Sequence, residues 1–173
     1  MSSQLFDTKP FGNELPGYIA RYWQTFVQKE VTDGNLCYFL HGGIEKIPQP
    51  KKDHTIQERM GILFSPIKWI SVCEKKSKDL EKNKQMMKDR AIEEMDIIED
   101  FSCYLNGELI SEHAIRAMSD FFELDSKYMA ICDGYWIFIK PYQLSLGKHH
   151  IVTHAACRAG EVIRPSEFNL TIV

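Results

Sequence analysis

Three histidines crowd one short stretch, His149, His150 and His154, with Cys157 close behind them. Imidazole nitrogens and thiolates are the usual ligands of zinc, so this cluster is where metal chemistry would be sought first. The spacing argues against a shared ion. In an extended strand His149 and His150 point to opposite faces, whereas His150 and His154 share a face. At about 3.3 Å per residue, His150 and His154 stand about 13 Å apart. Zinc–nitrogen bonds of about 2.0–2.1 Å cannot close that gap without a bulge or ligands from another strand. His41 and His113 are the histidines that another element could contribute. No metal ligand is assigned, and His149 is expected to be a hydrogen-bonded residue at a sheet rim.

Thiol chemistry has a similarly thin basis. The five cysteines, Cys37, Cys73, Cys103, Cys132 and Cys157, are odd in number and show no CxxC spacing. Neither a disulfide framework nor a zinc knuckle is signalled, and apolar settings such as Leu36-Cys37-Tyr38-Phe39 read as small buried hydrophobes. Phosphate-loop, dinucleotide, GxSxG and HExxH patterns are missing from the sequence, so no catalytic residue and no cofactor is assigned. The acids Asp120, Glu123 and Asp125 fit a solvated loop as well as a carboxylate pair. Asn169-Leu170-Thr171 matches the glycosylation pattern but sits in a strand-like run. Trp69 and Trp136 suit either a ligand groove or a core. The candidate ligand contacts are thus His41, Trp69, Trp136, His150 and His154.

The elements that would position these residues follow from periodicity. Asp133 to Val173 reads as three strands: Asp-Gly-Tyr-Trp-Ile-Phe-Ile-Lys, then Leu-Ser-Leu-Gly-Lys-His-His-Ile-Val-Thr, then Glu-Phe-Asn-Leu-Thr-Ile-Val. In the first, Tyr135, Ile137 and Ile139 share one face and Trp136 and Phe138 the other, so both faces need apolar cover. The last alternates, with Phe168, Leu170 and Ile172 inward and Asn169 and Thr171 outward. Asn106-Gly107, between Phe101-Ser-Cys-Tyr-Leu and Glu108-Leu-Ile, predicts a hairpin. Pro66 interrupts the apolar run from Met60 to Val72 and predicts a sheet edge or a bulge.

Two helices are predicted, over about 17–29 and about 77–98. The first carries apolar residues at Ile19, Tyr22, Trp23, Phe26 and Val27. The second carries a stripe of Leu80, Met87, Ala91, Met95 and Ile98. Its lysines come early and its acids late, against the macrodipole, at a cost of a few tenths of a kcal/mol per exposed charge. Asp33-Gly34 leads into a strand over Leu36–Leu40, and residues 45–58 read as a surface loop. The expected fold is therefore α+β. It is an immunoglobulin-like antiparallel β-sandwich with one or two amphipathic helices packed against it, in a single domain over 1–173 with a flexible leader over 1–16.

Composition bounds the rest. With 173 residues, 44% hydrophobic and 26% charged, the chain suits one well-packed domain. A net charge of −3 argues against general nucleic-acid binding. No apolar run is long enough to cross a membrane as a helix. The first residues lack the charged-then-apolar order of a signal peptide, which predicts a cytoplasmic chain.

The segments Asp133-Gly134-Tyr135-Trp136 and Leu144-Ser145-Leu146-Gly147-Lys148-His149-His150-Ile151 resemble those of an uncharacterised family of prokaryotic proteins. That family carries an Asp-Gly-Tyr-Trp strand, a Leu-Ser-Pro-Gly turn and a Gly-x-His-x-Ile strand. Tyr22-Trp23-Gln24, the Gly34-to-Gly43 strand, the run from Gly61 and Tyr104-Leu105-Asn106-Gly107 follow in the same order. Leu146 replaces the family's usual proline, and relatives are exported with signal peptides. The resemblance implies a sandwich and carries no assigned activity. The function expected is a non-enzymatic binding or structural module, with a protein partner or a homodimer through an edge strand. The alternative is a metal- or thiol-dependent enzyme using His41, His149, His150, His154 and a cysteine.

Overall fold

In the computed structural model, which describes residues 5–12, 14–34, 36–41, 52–157 and 162–173, two sheets and two helices pack around three apolar clusters. The helices are α1 (Leu15–Gln28) and α2 (Leu80–Asp96). The strands are β1 (Cys37–Leu40), β2 (Asp53–Ile56), β3 (Gly61–Glu74), β4 (Ile98–Leu105), β5 (Glu108–Leu109), β6 (Ile115–Met118), β7 (Phe122–Glu123), β8 (Tyr128–Ile139), β9 (Gly147–Cys157) and β10 (Val162–Ile172). One sheet, the inner one, runs β1-β3-β8-β6, with β7 also on β8; the outer sheet runs β2-β10-β9-β4-β5. The content is mixed α+β.

The inner sheet exists because β8 is apolar on both sides. Ile137 and Ile139 join Leu40, Ile62 and Phe64 against Leu105, Ile151, Phe168, Leu170 and Ile172 of the outer sheet. Trp136 and Phe138 turn the other way, onto Tyr18, Ile19, Tyr22 and Trp23 of α1. Trp136 is 1% exposed and meets Tyr22 edge-on at 5.1 Å between centroids. Each such buried large side chain contributes about 1.5–3 kcal/mol, which fixes α1 to this face. The helix opens with Pro16 in its first turn and stops at Lys29, whose left-handed φ of 59° turns the chain toward β1.

Pro66 marks a bulge, and because β1 runs beside β3 only as far as Phe64, β3 beyond it is also a sheet edge among the described residues. The β3–β8 register slips between Phe64 and Ile67, and the Ser65 hydroxyl sits 2.8 Å from the Ile67 carbonyl and 2.7 Å from that of Tyr135, sharing its proton between them. Gly134 lies just past the slip, opposite Lys68. A Cβ there would stand 2.8 Å from the Ile67 carbonyl oxygen, so the second residue of Asp-Gly-Tyr-Trp must be glycine.

Four sequence expectations need correction. The sheets are not antiparallel throughout: β1 pairs with β3 and β2 with β10 in parallel, because β1 and β2 each lie in a different sheet from the strand that follows. Residues 45–58 are not all loop. Asp53–Ile56 form β2, whose His54 and Ile56 are buried, while 45–51 lie outside the described residues. The first helix starts at Leu15 rather than near residue 17, and ahead of it Leu5 lies in the core and Phe6 is bridged to Ile139. The strand read as starting at Asp133 is longer: β8 begins at Tyr128, and β6 and β7 precede it.

α2 spans Leu80–Asp96 and buries Met87, Ala91 and Met95, the last against Ile67 of β3 and Ala155 of β9. A charged clasp holds it. The Arg116 guanidinium reaches buried Asp133 through two nitrogens at 2.8 and 3.1 Å, Asp96 at the end of α2 at 2.6 Å, and the Ile92 carbonyl at 3.3 Å. Asp133 also accepts the Gly134 amide at 2.9 Å. Removing one partner of a buried pair strands the other charge, at a cost of about 3–5 kcal/mol. Arg116→Ala is therefore expected to lower unfolding free energy in urea by about 3 kcal/mol, and the double variant Arg116→Ala/Asp133→Asn to recover part of that loss.

Candidate functional site

Among the described residues, nothing packs on the far face of the outer sheet. Its strands alternate as a half-buried sheet should: Ile151, Thr153 and Ala155 of β9 point to the core, while Lys148, His150, Val152 and His154 point away. On β10, Phe168, Leu170 and Ile172 are buried and Glu167, Asn169 and Thr171 face outward. Asp53 and Thr55 of β2 and Ser102 and Tyr104 of β4 complete the face. An open depression of about 610 Å³ runs across it, lined by Asp53, Thr55, Asn106, Lys148, His150, Asn169 and Thr171 among others.

The polar groups there hold one another in place. The His150 ring nitrogen Nε2 meets Glu167 Oε1 at 2.8 Å, and Lys52 Nζ lies 3.4 Å from Glu167 Oε2. Asn169 donates its amide to Asp53 at 2.9 Å. At the rim, Asn106 adopts a left-handed φ of 54° in the tight turn between β4 and β5. Its side-chain oxygen accepts the His150 backbone N–H at 2.9 Å, and its amide nitrogen donates to His149 Nδ1 at 2.9 Å. His149 Nε2 in turn donates to the Ser145 carbonyl at 2.8 Å, which fixes the ring as a rim hydrogen-bonding residue. The rings of Tyr104 and His154 meet edge-on at 6.3 Å. The His150 hydrogen bond, with help from Lys52, holds the Glu167 carboxyl below its ordinary range. This face presents carboxylate and amide acceptors, N–H donors and ring surfaces on rigid strands.

Of the residues singled out from sequence, His150 and His154 fall on this face. The others do not. Trp136 is core beneath α1 and cannot touch a ligand. Trp69 is 39% exposed, but it belongs to the inner sheet. His41 is 7% exposed and packed among Tyr22, Phe26 and Phe39, where Nε2 donates to the Glu30 carbonyl at 3.2 Å and lies 3.4 Å from the Thr25 hydroxyl. It therefore does not join His149, His150 and His154. No group of three or more His, Cys, Asp or Glu side chains among the described residues is arranged to hold a metal ion. Cys37, Cys103 and Cys132 are buried, and burial pushes the thiols of Cys103 and Cys132 up to about 12, so neither offers a thiolate near neutral pH.

Sequence reasoning missed Lys52, Asp53, Asn106 and Glu167 as members of the site. The outward parity of Glu167 and Asn169 was legible from the alternation of the last strand. Their pairing with β9 and β2 depends on register, which a single strand's pattern does not carry.

Burial, aided by the charge of Lys68, depresses the His41 pKa from 6.5 to about 3. Below about pH 6.5 the unfolded chain binds a proton that the folded chain refuses until about pH 3, so stability falls as pH drops through that window. The slope approaches about 1.4 kcal/mol per pH unit. In urea titrations between pH 7 and pH 4, wild type should lose stability more steeply than His41→Gln. On the open face, carbon-detected NMR titration should show the Glu167 pKa rising in His150→Ala, and rising less in Lys52→Ala.

No protein-family model matches this sequence, and no curated protein matches it. A solved structure, that of Amebosin in solution, aligns with 80% of this chain and 95% of its own at 11% identity, with a TM-score of 0.24 that carries no argument about fold or function.

Proposed function

We propose that this chain is a non-enzymatic binding module that uses its sandwich as immunoglobulin-like domains do, as a rigid frame for one recognition surface, here the open face of the outer sheet. The ligand class it fits best is a neutral, polyhydroxylated one such as an oligosaccharide. The observation that carries this reading is the coexistence, on one uncovered sheet, of a charge-balanced set of donors and acceptors with the ring faces of Tyr104 and His154. Sugar hydroxyls both donate and accept, so they need acceptors such as Glu167 and Asp53 beside donors such as Asn169 and Lys148. Their C–H faces stack on aromatic rings. Side chains locked by neighbours on strands lose little entropy on binding, which favours recognition at a shallow surface.

A nucleic-acid ligand has no support in a net charge of −3. A membrane role has none in the helices described, none of which is long and apolar enough to cross a bilayer. The five cysteines without CxxC spacing fit a reducing compartment, and the proposal keeps the chain in the cytoplasm.

The test is an amide-resolved NMR titration with a panel of neutral and acidic oligosaccharides. Shifts confined to Tyr104, Lys148, His150, Val152, His154, Glu167 and Asn169 are expected with at least one neutral member, with Asn169→Ala weakening that interaction by about tenfold or more while the fold is kept. Shifts that map elsewhere, binding indifferent to Asn169→Ala, or no shifts across the whole panel would overturn the glycan assignment.

A further inference from the structure

Among the described residues, the inner sheet leaves one long edge unpaired. β1 lies beside β3 only from Gly61 to Phe64, and after the bulge the far side of β3, from Ile67 to Glu74, has no strand along it among the described residues. The other edges are blunted in the ways proteins use against unwanted pairing. β2 and β6 are 4 residues long, β5 and β7 only 2, and β2 and β5 carry outward acids. The β3 edge is instead long and apolar, with Trp69 39% and Val72 44% exposed beside partly buried Ile70.

We propose that this edge pairs antiparallel with the same edge of a second copy, about a two-fold axis through Ser71, which joins the two inner sheets into one. The charge pattern selects this occupant and this register. Lys68 and Glu74 are equidistant from Ser71 along the strand, and so are Ile70 and Val72. All four share the face that carries α1, where Lys68 lies 5.4 Å from the Tyr22 ring. A two-fold axis perpendicular to the sheet keeps that face common to both copies. Lys68 then stands opposite Glu74 of the second copy, and Ile70 opposite Val72, each contact occurring twice. A one-residue shift would set opposite faces against each other. A two-residue shift sets Glu74 against Ile70, or Lys68 against Val72, and loses both ion pairs. Glu74 is available, since its side chain is 55% exposed in its pair with Lys127.

Sedimentation across a wide concentration range reads the proposal. A reversible dimer is expected. Val72→Lys, at an exposed position that the fold does not need, should raise the dissociation constant by about tenfold or more, and Glu74→Lys by severalfold. Lys68→Glu combined with Glu74→Lys should restore much of what Glu74→Lys loses. A benzophenone amino acid in place of Val72 should cross-link to a peptide containing Ile70 of another copy. A chain that stays monomeric at every concentration overturns the proposal. So does a dimer that Val72→Lys leaves unweakened, or a cross-link that maps away from β3.

Discussion

The whole arrangement depends on β8 being apolar on both faces. A strand of that kind cannot face water on either side, so it must be central and both of its faces must be covered. Ile137 and Ile139 draw in the outer sheet, while Trp136 and Phe138 draw in α1. Where the outer sheet ends, α2 takes over the same face, held by Met95 against Ile67 and by the clasp of Arg116 between Asp133 and Asp96. The Asp-Gly-Tyr-Trp segment is thereby explained as architecture. Its aspartate anchors a buried ion pair, its glycine admits the β3 bulge, and its tryptophan seats a helix.

Burial at the centre determines what is left at the surface. With the inner sheet covered by α1 on one side and by the outer sheet and α2 on the other, the far face of the outer sheet is the broad sheet surface still open among the described residues. Its polar side chains are already ordered by neighbours: Glu167 by His150 and Lys52, Asn169 by Asp53, both ring-bearing strands by the turn at Asn106. The bulge at Pro66 also falls where the pairing of β1 with β3 stops, at Phe64. Among the described residues no strand lies beside β3 beyond it.

Much of this was legible in the sequence wherever the periodicity was strong. The opposed faces of β8, the stripe of α1, the Asn106-Gly107 hairpin and the inward Phe168, Leu170 and Ile172 each follow from spacing alone. The stripe of α2 was legible too, with Met87, Ala91 and Met95 buried as the pattern requires and Leu80 half-buried at its start, whereas Ile98 falls beyond its end, in β4. Asp53–Ile56 was not, because 4 residues in a Lys- and Gln-rich stretch give too short an alternation to separate from loop. Parallel pairing of β1 with β3 was hidden for another reason: which strands become neighbours is decided by tertiary packing, and local pattern is silent on it. The same limit applies to the site. Parity placed His150 and His154 together, but only the register of β9 with β10 brings Glu167 and Asn169 to them. His41 and Trp136 show the converse, since residue type suggested chemistry and neighbouring apolar spacing decided for the core.

Amide hydrogen exchange followed residue by residue tests the central claim most directly, because it ranks elements by how much covers them. If β8 is the doubly covered centre, the amides from Ala130 to Ile139 exchange slowest of all, and only through global unfolding. Those of β9 and β10 exchange sooner. Amides of β8 that exchange as fast as those of β9, or through a local opening that leaves the outer sheet protected, would contradict the account.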